Sequence, residues 1–274
     1  MQGRLLPPVG GRLQSFPVDG WRDEFSRAKE AGLDCIEWIY EAGTNAANPL
    51  ETDEGIVEIR RLVDATTIAV WSVCADYYMS ENLVYPDGGM RAEIVEHLKW
   101  LVGRAGSLGV RYVVLPFVDA SSLRSPAEIE GLRHVLISVI PVAERVGVEL
   151  HLETDLQTAD LVAVLRSVNH PLVRANYDMG NSASLGHDPV EELTLLGPWL
   201  GSVHVKDRVL GGGTVPLGSG SADFPTCFRL ISAAGFNGPY ILQAARQTGL
   251  SEPDLAIRNR QFVQDQIAGL MIEA

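Results

Sequence analysis

The sequence predicts a (β/α)8 barrel built as a single domain over residues 1–274. Two observations lead there. Eight short, β-branched apolar runs alternate strictly with eight amphipathic segments of helical length, the mark of crossover units around a parallel sheet. The chain length of 274 residues is also close to the ~250 residues typical of that barrel. A third observation concerns chemistry: the runs GVELHLE, PLVRANYD and PYILQ end on Glu153, Asp178 and Gln243, and LGSVHVKD carries His204 three residues before its end.

In chain order the candidate pairs are strand 3–6 with helix 21–31, strand 34–38 with helix 52–66, and strand 69–75 with helix 89–107. Strand 110–115 with helix 126–146 and strand 147–153 with helix 155–168 follow, and then strand 172–178 with helix 188–197. Strand 200–206 with helix 223–234 and strand 239–243 with helix 251–270 complete the series. Glycines in KEAGLD, GSLGV and AAGFNG stand where a helix end takes a left-handed residue. Asp19 or Gly20 is expected to cap the first helix, and Ser125-Pro126 followed by Glu128 marks another start. The longer connections, 7–20, 39–51, 77–88, 116–125, 179–187 and 207–222, are expected on one rim. A doubly wound sheet is disfavoured because PPVGGRLQSFP, after the first run, contains no GxGxxG.

Composition narrows the partners. A formal charge of -13 opposes nonspecific nucleic-acid binding and attraction to an anionic membrane surface. Cys35, Cys74 and Cys227 are an odd number of scattered thiols in apolar surroundings, expected to be buried and free. The start, MQGRLLPPVGG, lacks the apolar stretch of a signal peptide, and no later run has the length of a membrane span. A cytoplasmic protein acting on a small molecule is expected, and homo-oligomerisation is compatible with the chain.

In a barrel all strands end on one face, so residues 25, 26 and 39 positions apart can converge. Period-2 alternation places Glu149, His151 and Glu153 on the inner face, with Arg174, Asn176 and Asp178 on the next strand and Ser202, His204 and Lys206 beyond it. Polar inner faces are costly unless paired. Glu153, Asp178 and His204 offer two hard oxygens and an imidazole, a set suited to one divalent cation: Mn²⁺ first, with Zn²⁺, Co²⁺, Fe²⁺ or Mg²⁺ compatible. Gln243 offers a neutral carbonyl oxygen as a fourth ligand.

Other rim residues join the candidates. Glu37 and Asp76 are expected to meet substrate, and His187 to support it or a water. Lys206 can stabilise a developing oxyanion, and Arg208, followed by Gly211, Gly212, Gly213 and Thr214, can hold a phosphate or carboxylate. The simpler readings are an ion pair for Glu37, a loop-holding role for Asp207 and core packing for Trp38. His97 and His134 fall within helices, where packing or solvation accounts for them.

The segments GLDCIEW, HLETD, NYDMGNSASLGHDP, SVHVKDR, VPLGSGSADF and YILQ, in this order and spacing, resemble the sugar phosphate isomerase/epimerase superfamily, the xylose-isomerase-like barrels. The resemblance spans nearly the whole chain. It implies metal-dependent chemistry on sugars, sugar phosphates or inositol-derived ketones, with Glu153, Asp178 and His204 as ligands. Family members commonly carry Glu as the fourth ligand and use two carboxylates on opposite faces of the substrate. Gln243 departs from that pattern, because an amide is no ordinary acid or base.

The expected reaction is isomerisation or epimerisation of a small polyhydroxylated carbonyl compound through an enediolate. Glu153 moves the proton, and Lys206 or His151 is a second carrier. A metal-dependent dehydratase and a non-catalytic carbohydrate-binding barrel are the alternatives.

Overall fold

The computed structural model describes residues 1–12 and 14–270; Leu13, inside the candidate rim segment 7–20, and residues 271–274 lie outside them. Parallel strands follow one another in sequence order: β1 (Cys35–Ile39), β2 (Ala69–Cys74), β3 (Tyr112–Phe117), β4 (Glu149–Thr154), β5 (Val173–Asp178) and β6 (Leu200–Val205). A hairpin of β7 (Asp207–Arg208) and β8 (Thr214–Val215) interrupts the series before β9 (Tyr240–Leu242), which pairs with β6.

The first two residues bridge the remaining gap between β9 and β1. Gln2 N–H donates to Leu242 O at 3.1 Å, and Glu37 N–H donates to Met1 O at 3.0 Å. Gln2 and Glu37 form a single parallel bridge. The expected strand at 3–6 is therefore corrected: pairing occurs at Met1–Gln2. Gly3 then turns the chain at φ +45, and a Cβ there would lie 2.0 Å from Ile39 Cδ1. Leu5 and Leu6 bury their side chains in place of extending the ladder.

The helices are α1 (Asp23–Glu30), α2 (Asp53–Thr66), α3 (Tyr77–Ser80), α4 (Ala92–Leu108), α5 (Pro126–Val146), α6 (Thr158–Val168), α7 (Met179–Leu185), α8 (Pro189–Leu196), α9 (Phe224–Ala233) and α10 (Glu252–Leu270). Local chemistry sets their ends. Ser125 Oγ accepts from Glu128 N at 3.2 Å, while Glu128 Oε2 accepts from Ser125 Oγ at 3.0 Å and Arg124 N at 2.8 Å. Such a cap contributes about 1 kcal/mol. Gly32, Gly109 and Gly235 all have positive φ after their helices, as expected. At α1, where Asp19 or Gly20 was expected, Gly20 accepts Asp23 N–H through its backbone oxygen at 2.9 Å, and no side chain caps the helix.

Apolar residues of the strands, among them Val113, Leu115, Leu150, Leu152 and Val203, join Leu98, Leu101, Val135 and Val139 of the helices in one buried layer. Each buried aliphatic side chain contributes about 1.5–3 kcal/mol, which is offset by conformational entropy. Trp38 is core, packed at 5.5 Å on Phe16 and 5.6 Å on Trp21. The three cysteines are buried and free. His97 is packed among aromatic rings, stacked on Tyr77 at 4.4 Å. Among the described residues no helix is long and apolar enough to cross a membrane.

Candidate metal centre

Parallel pairing brings the ends of β4, β5 and β6 together, with Asp178 in register with His204. One donor atom from each of Glu153, Asp178 and His204 lies within 4.8 Å of the others. His204 Nδ1 is 3.6 Å from Glu153 Oε2 and 3.9 Å from Asp178 Oδ2. All three side chains are buried, as is Gln243 beside β9.

The other imidazole nitrogen faces a carboxylate. His204 Nε2 stands 2.9 Å from Glu37 Oε1, and Ser72 Oγ donates to Glu37 Oε2 at 2.7 Å. Burial alone would lower the His204 pKa, but Glu37, Glu153 and Asp178 together raise it to about 9. Burial would raise Glu37, and the facing imidazolium overcomes it, so that carboxyl is held below its ordinary range. Glu153 is pushed up by burial and by the charge of Asp178, against the pull of His204 and Lys206.

These residues fit a divalent cation. Among the described residues His204 Nδ1 and Gln243 Oε1 are buried without a hydrogen-bond partner, as is Nε2 apart from its ion pair with Glu37; an unpartnered buried group costs about 1–3 kcal/mol. Two carboxylates share the same space as Nδ1. A cation there would satisfy the imidazole and offset the carboxylate charge, with Glu37 orienting the ring from behind as outer-shell carboxylates do.

Asn181 completes the geometry. Its N–H caps α7 by donating to Asp178 Oδ1 at 2.8 Å, and its Nδ2 donates to Glu153 Oε1 at 2.8 Å. Arg208 Nη1 donates to Asn181 Oδ1 at 3.0 Å, and Lys206 Nζ donates to Asp178 Oδ2 at 3.3 Å. Asp207 holds the following loop by accepting Gly220 N–H at 2.8 Å and Ala222 N–H at 3.2 Å.

Above the centre opens a cavity of about 620 Å³, whose walls include Glu153, Gln243, Asp76, Lys206, Arg12 and Arg208. Glu37 lies beneath His204 and does not line it. His151 is also fully buried, 2.8 Å from Ser202 Oγ and 2.9 Å from Glu149 Oε2, with its ring stacked on Tyr112 at 4.1 Å. His187 borders a small adjoining pocket that shares Glu153 and Asn181 with this cavity, and it holds Glu192 Oε1 at 2.9 Å. Arg12 and Gln14 were not singled out in the sequence; they reach the cavity from the segment that follows the barrel-closing residues.

A family model described as Xylose isomerase-like TIM barrel matches residues 25–266. The chain belongs to this family. Within the wider set of xylose isomerase-like barrels and sugar epimerases, it is similar to the L-ribulose-5-phosphate 3-epimerase of Shigella boydii serotype 18, with 25% identity over 280 residues, covering 97% of this chain and 98% of that protein. A xylose isomerase-like TIM barrel protein from Mycobacterium smegmatis in complex with magnesium shares the fold at TM-score 0.70 and 20% identity, covering 98% of this chain and 94% of that one. The D-allulose 3-epimerase of Methylomonas sp. in complex with D-allulose superposes at TM-score 0.74 and 17% identity, covering 92% and 93%. This xylose isomerase-like barrel has an amide at position 243 and carboxylates at 153 and 178.

Proposed function

We propose that this protein is a divalent-metal-dependent isomerase or epimerase of a small ketose or ketose phosphate. The observation that carries the reading is the convergence of Glu153, Asp178 and His204, with a buried and unpartnered imidazole nitrogen, at the base of a polar cavity. Family membership and the likeness to an epimerase of a ketose phosphate support the substrate class.

Glu153, Asp178, His204 and Gln243 would hold the cation, with Mn²⁺ favoured by the mixed oxygen and nitrogen donors and Mg²⁺ compatible. When bound, it supplies charge stabilisation for oxygens that become negative as a neighbouring C–H bond breaks. Glu153 takes that proton. Burial and the charge of Asp178 raise its pKa toward neutrality, where a carboxyl group can both accept and return a proton. Asn181 positions the Glu153 carboxylate through its hydrogen bond to Oε1.

Lys206 and Arg208 give the cavity wall positive charge for a phosphate or a polarised oxygen. Arg208 is braced by two donations to Gly212 O, at 3.0 and 2.9 Å, so its guanidinium is positioned before substrate arrives. His151 and His187 are not retained as participants, because neither lines this cavity and each is held by another side chain.

Incubation of L-ribulose 5-phosphate or D-allulose with the protein in D₂O tests the reading. Carbon-bound deuterium should enter only when Mn²⁺ or Mg²⁺ is supplied, and Glu153→Gln should abolish the exchange. Exchange without metal, or at the full rate in the variant, would contradict it.

A further inference from the structure

The proposed reaction leaves an inversion short of a second proton carrier. Inverting a carbon requires a proton to leave one face and another to arrive on the opposite face. Glu153 serves one, and the amide of Gln243 serves neither. Among the described groups of the cavity wall, most alternatives are engaged elsewhere. Lys206 is tied to Asp178 at 3.3 Å. Glu41 is tied to Arg12 at 2.8 Å and to Phe16 N–H at 2.8 Å. Asp155 accepts from Ser122 Oγ and follows directly on β4, the strand that carries Glu153.

Asp76 differs from Glu41 in having no ion pair among the described contacts and from Asp155 in standing on another strand end than Glu153. It follows β2, half-buried on the cavity wall. Its two carboxyl oxygens are held by neutral donors, Gln14 Nε2 at 2.6 Å and Cys74 Sγ at 3.1 Å. No cation pairs with it among the described contacts. Gln14 is itself fixed by Arg4 Nη2 at 3.1 Å, and Arg4 Nη1 donates to the backbone oxygens of Gln243 and Ala244. The Asp76 carboxyl is thus anchored to the strand end that carries the amide. Round the barrel β3 separates β2 from β4, and β5 and β6 separate β4 from β9. Asp76, Glu153 and Gln243 therefore enter the cavity from three different strand ends.

We propose that Asp76 is the second proton-transfer residue of this site, taking the part that a carboxylate at position 243 would otherwise play. The inference rests on the function proposed above. Glu153 accepts the proton as the C–H bond breaks, and the bonding electrons pass into the adjacent carbonyl to give the enediolate. The protonated Asp76 carboxyl then delivers its proton to the other face, forming the new C–H bond. Glu153 ends protonated and Asp76 ionised, and exchange with solvent through the open cavity restores both. Burial raises the Asp76 pKa, with the charges of Glu41 and Glu37 adding to it and the Cys74 and Gln14 hydrogen bonds opposing.

Asp76→Asn is the test, run with Mn²⁺-loaded protein and L-ribulose 5-phosphate or D-allulose in D₂O. Calorimetric titration with Mn²⁺ should first show unchanged affinity, establishing that the variant folds with its metal centre intact. The expected result is loss of the epimeric product by about 100-fold or more, while substrate recovered with its original configuration still gains deuterium through Glu153. Epimer formation at the wild-type rate would overturn the assignment. So would equal loss of exchange and epimerisation, which would mark Asp76 as a positioning residue. Wild-type protein that exchanges no deuterium with metal present would overturn the proposed function itself.

Discussion

Glu37 Oε1 and His204 Nε2 stand 2.9 Å apart with both side chains fully buried. The Glu37 carboxylate faces Nε2 as an ion pair, which leaves Nδ1 toward Glu153 and Asp178 at 3.6 and 3.9 Å. Glu37→Gln keeps the shape and removes the charge that fixes the ring. The expected loss in Mn²⁺ affinity is about 10–100-fold, measured by calorimetric titration on variant and wild type. Unaltered affinity would mean that the ring is oriented by packing alone.

Cation binding should release protons. Without a cation the charges around His204 hold its pKa at about 9, so Nδ1 must give up a proton before it can coordinate. Affinity for Mn²⁺ should therefore rise with pH through neutrality and level off above about 9. Titrations in two buffers of different ionisation enthalpy should give different apparent heats. Identical heats at pH 7 would show that His204 contributes no proton.

Gln243→Glu returns a third carboxylate to a site whose ligand carboxylates are Glu153 and Asp178. Among the described residues the buried Gln243 Oε1 has no hydrogen-bond partner, so the new oxygens would face the same space. Mn²⁺ affinity should increase by about an order of magnitude, since an added anionic hard oxygen favours such ions. The same variant read by D₂O exchange shows whether a neutral residue here is needed for turnover.

Stability carries its own pH signature, remote from the metal centre. Glu24 is buried in the first turn of α1, where desolvation pushes its pKa up to about 7 from 4.5. Below 4.5 it is protonated in both folded and unfolded chains. As pH rises from 4.5 to about 7 only the unfolded chain ionises, so folded stability falls, by on the order of 3 kcal/mol in all. Glu24→Gln should flatten the fall in Tm between pH 5 and 8, measured by thermal melts. An unchanged slope would exclude Glu24 as its source.

Much of the barrel is readable in the chain because each crossover unit carries two periods, one of strand and one of helix, with glycines at the helix ends. The cluster at 153, 178 and 204 is readable for the same reason: alternation fixes the inner face, and parallel strands fix a common end. Closure by Met1–Gln2 is not, since one bridge has no period to detect. Nor is α7, whose MGNSASL is small and polar; its start depends on the Asp178 cap to Asn181 N–H. Arg12 and Gln14 reach the cavity from an irregular segment, where spacing says nothing about direction. Inward alternation placed His151 on the polar face but not its height, and it lies below the cavity among Glu149, Ser202 and Tyr112.

The most direct measurement of the central claim is metal content at equilibrium. Protein dialysed against Mn²⁺ and analysed by mass spectrometry of the element should carry one ion per chain, and the paired variant Asp178→Ala with His204→Ala should carry none while retaining its far-UV circular dichroism. One tightly held ion per chain in that folded variant would contradict the assignment of Glu153, Asp178 and His204 as the metal centre.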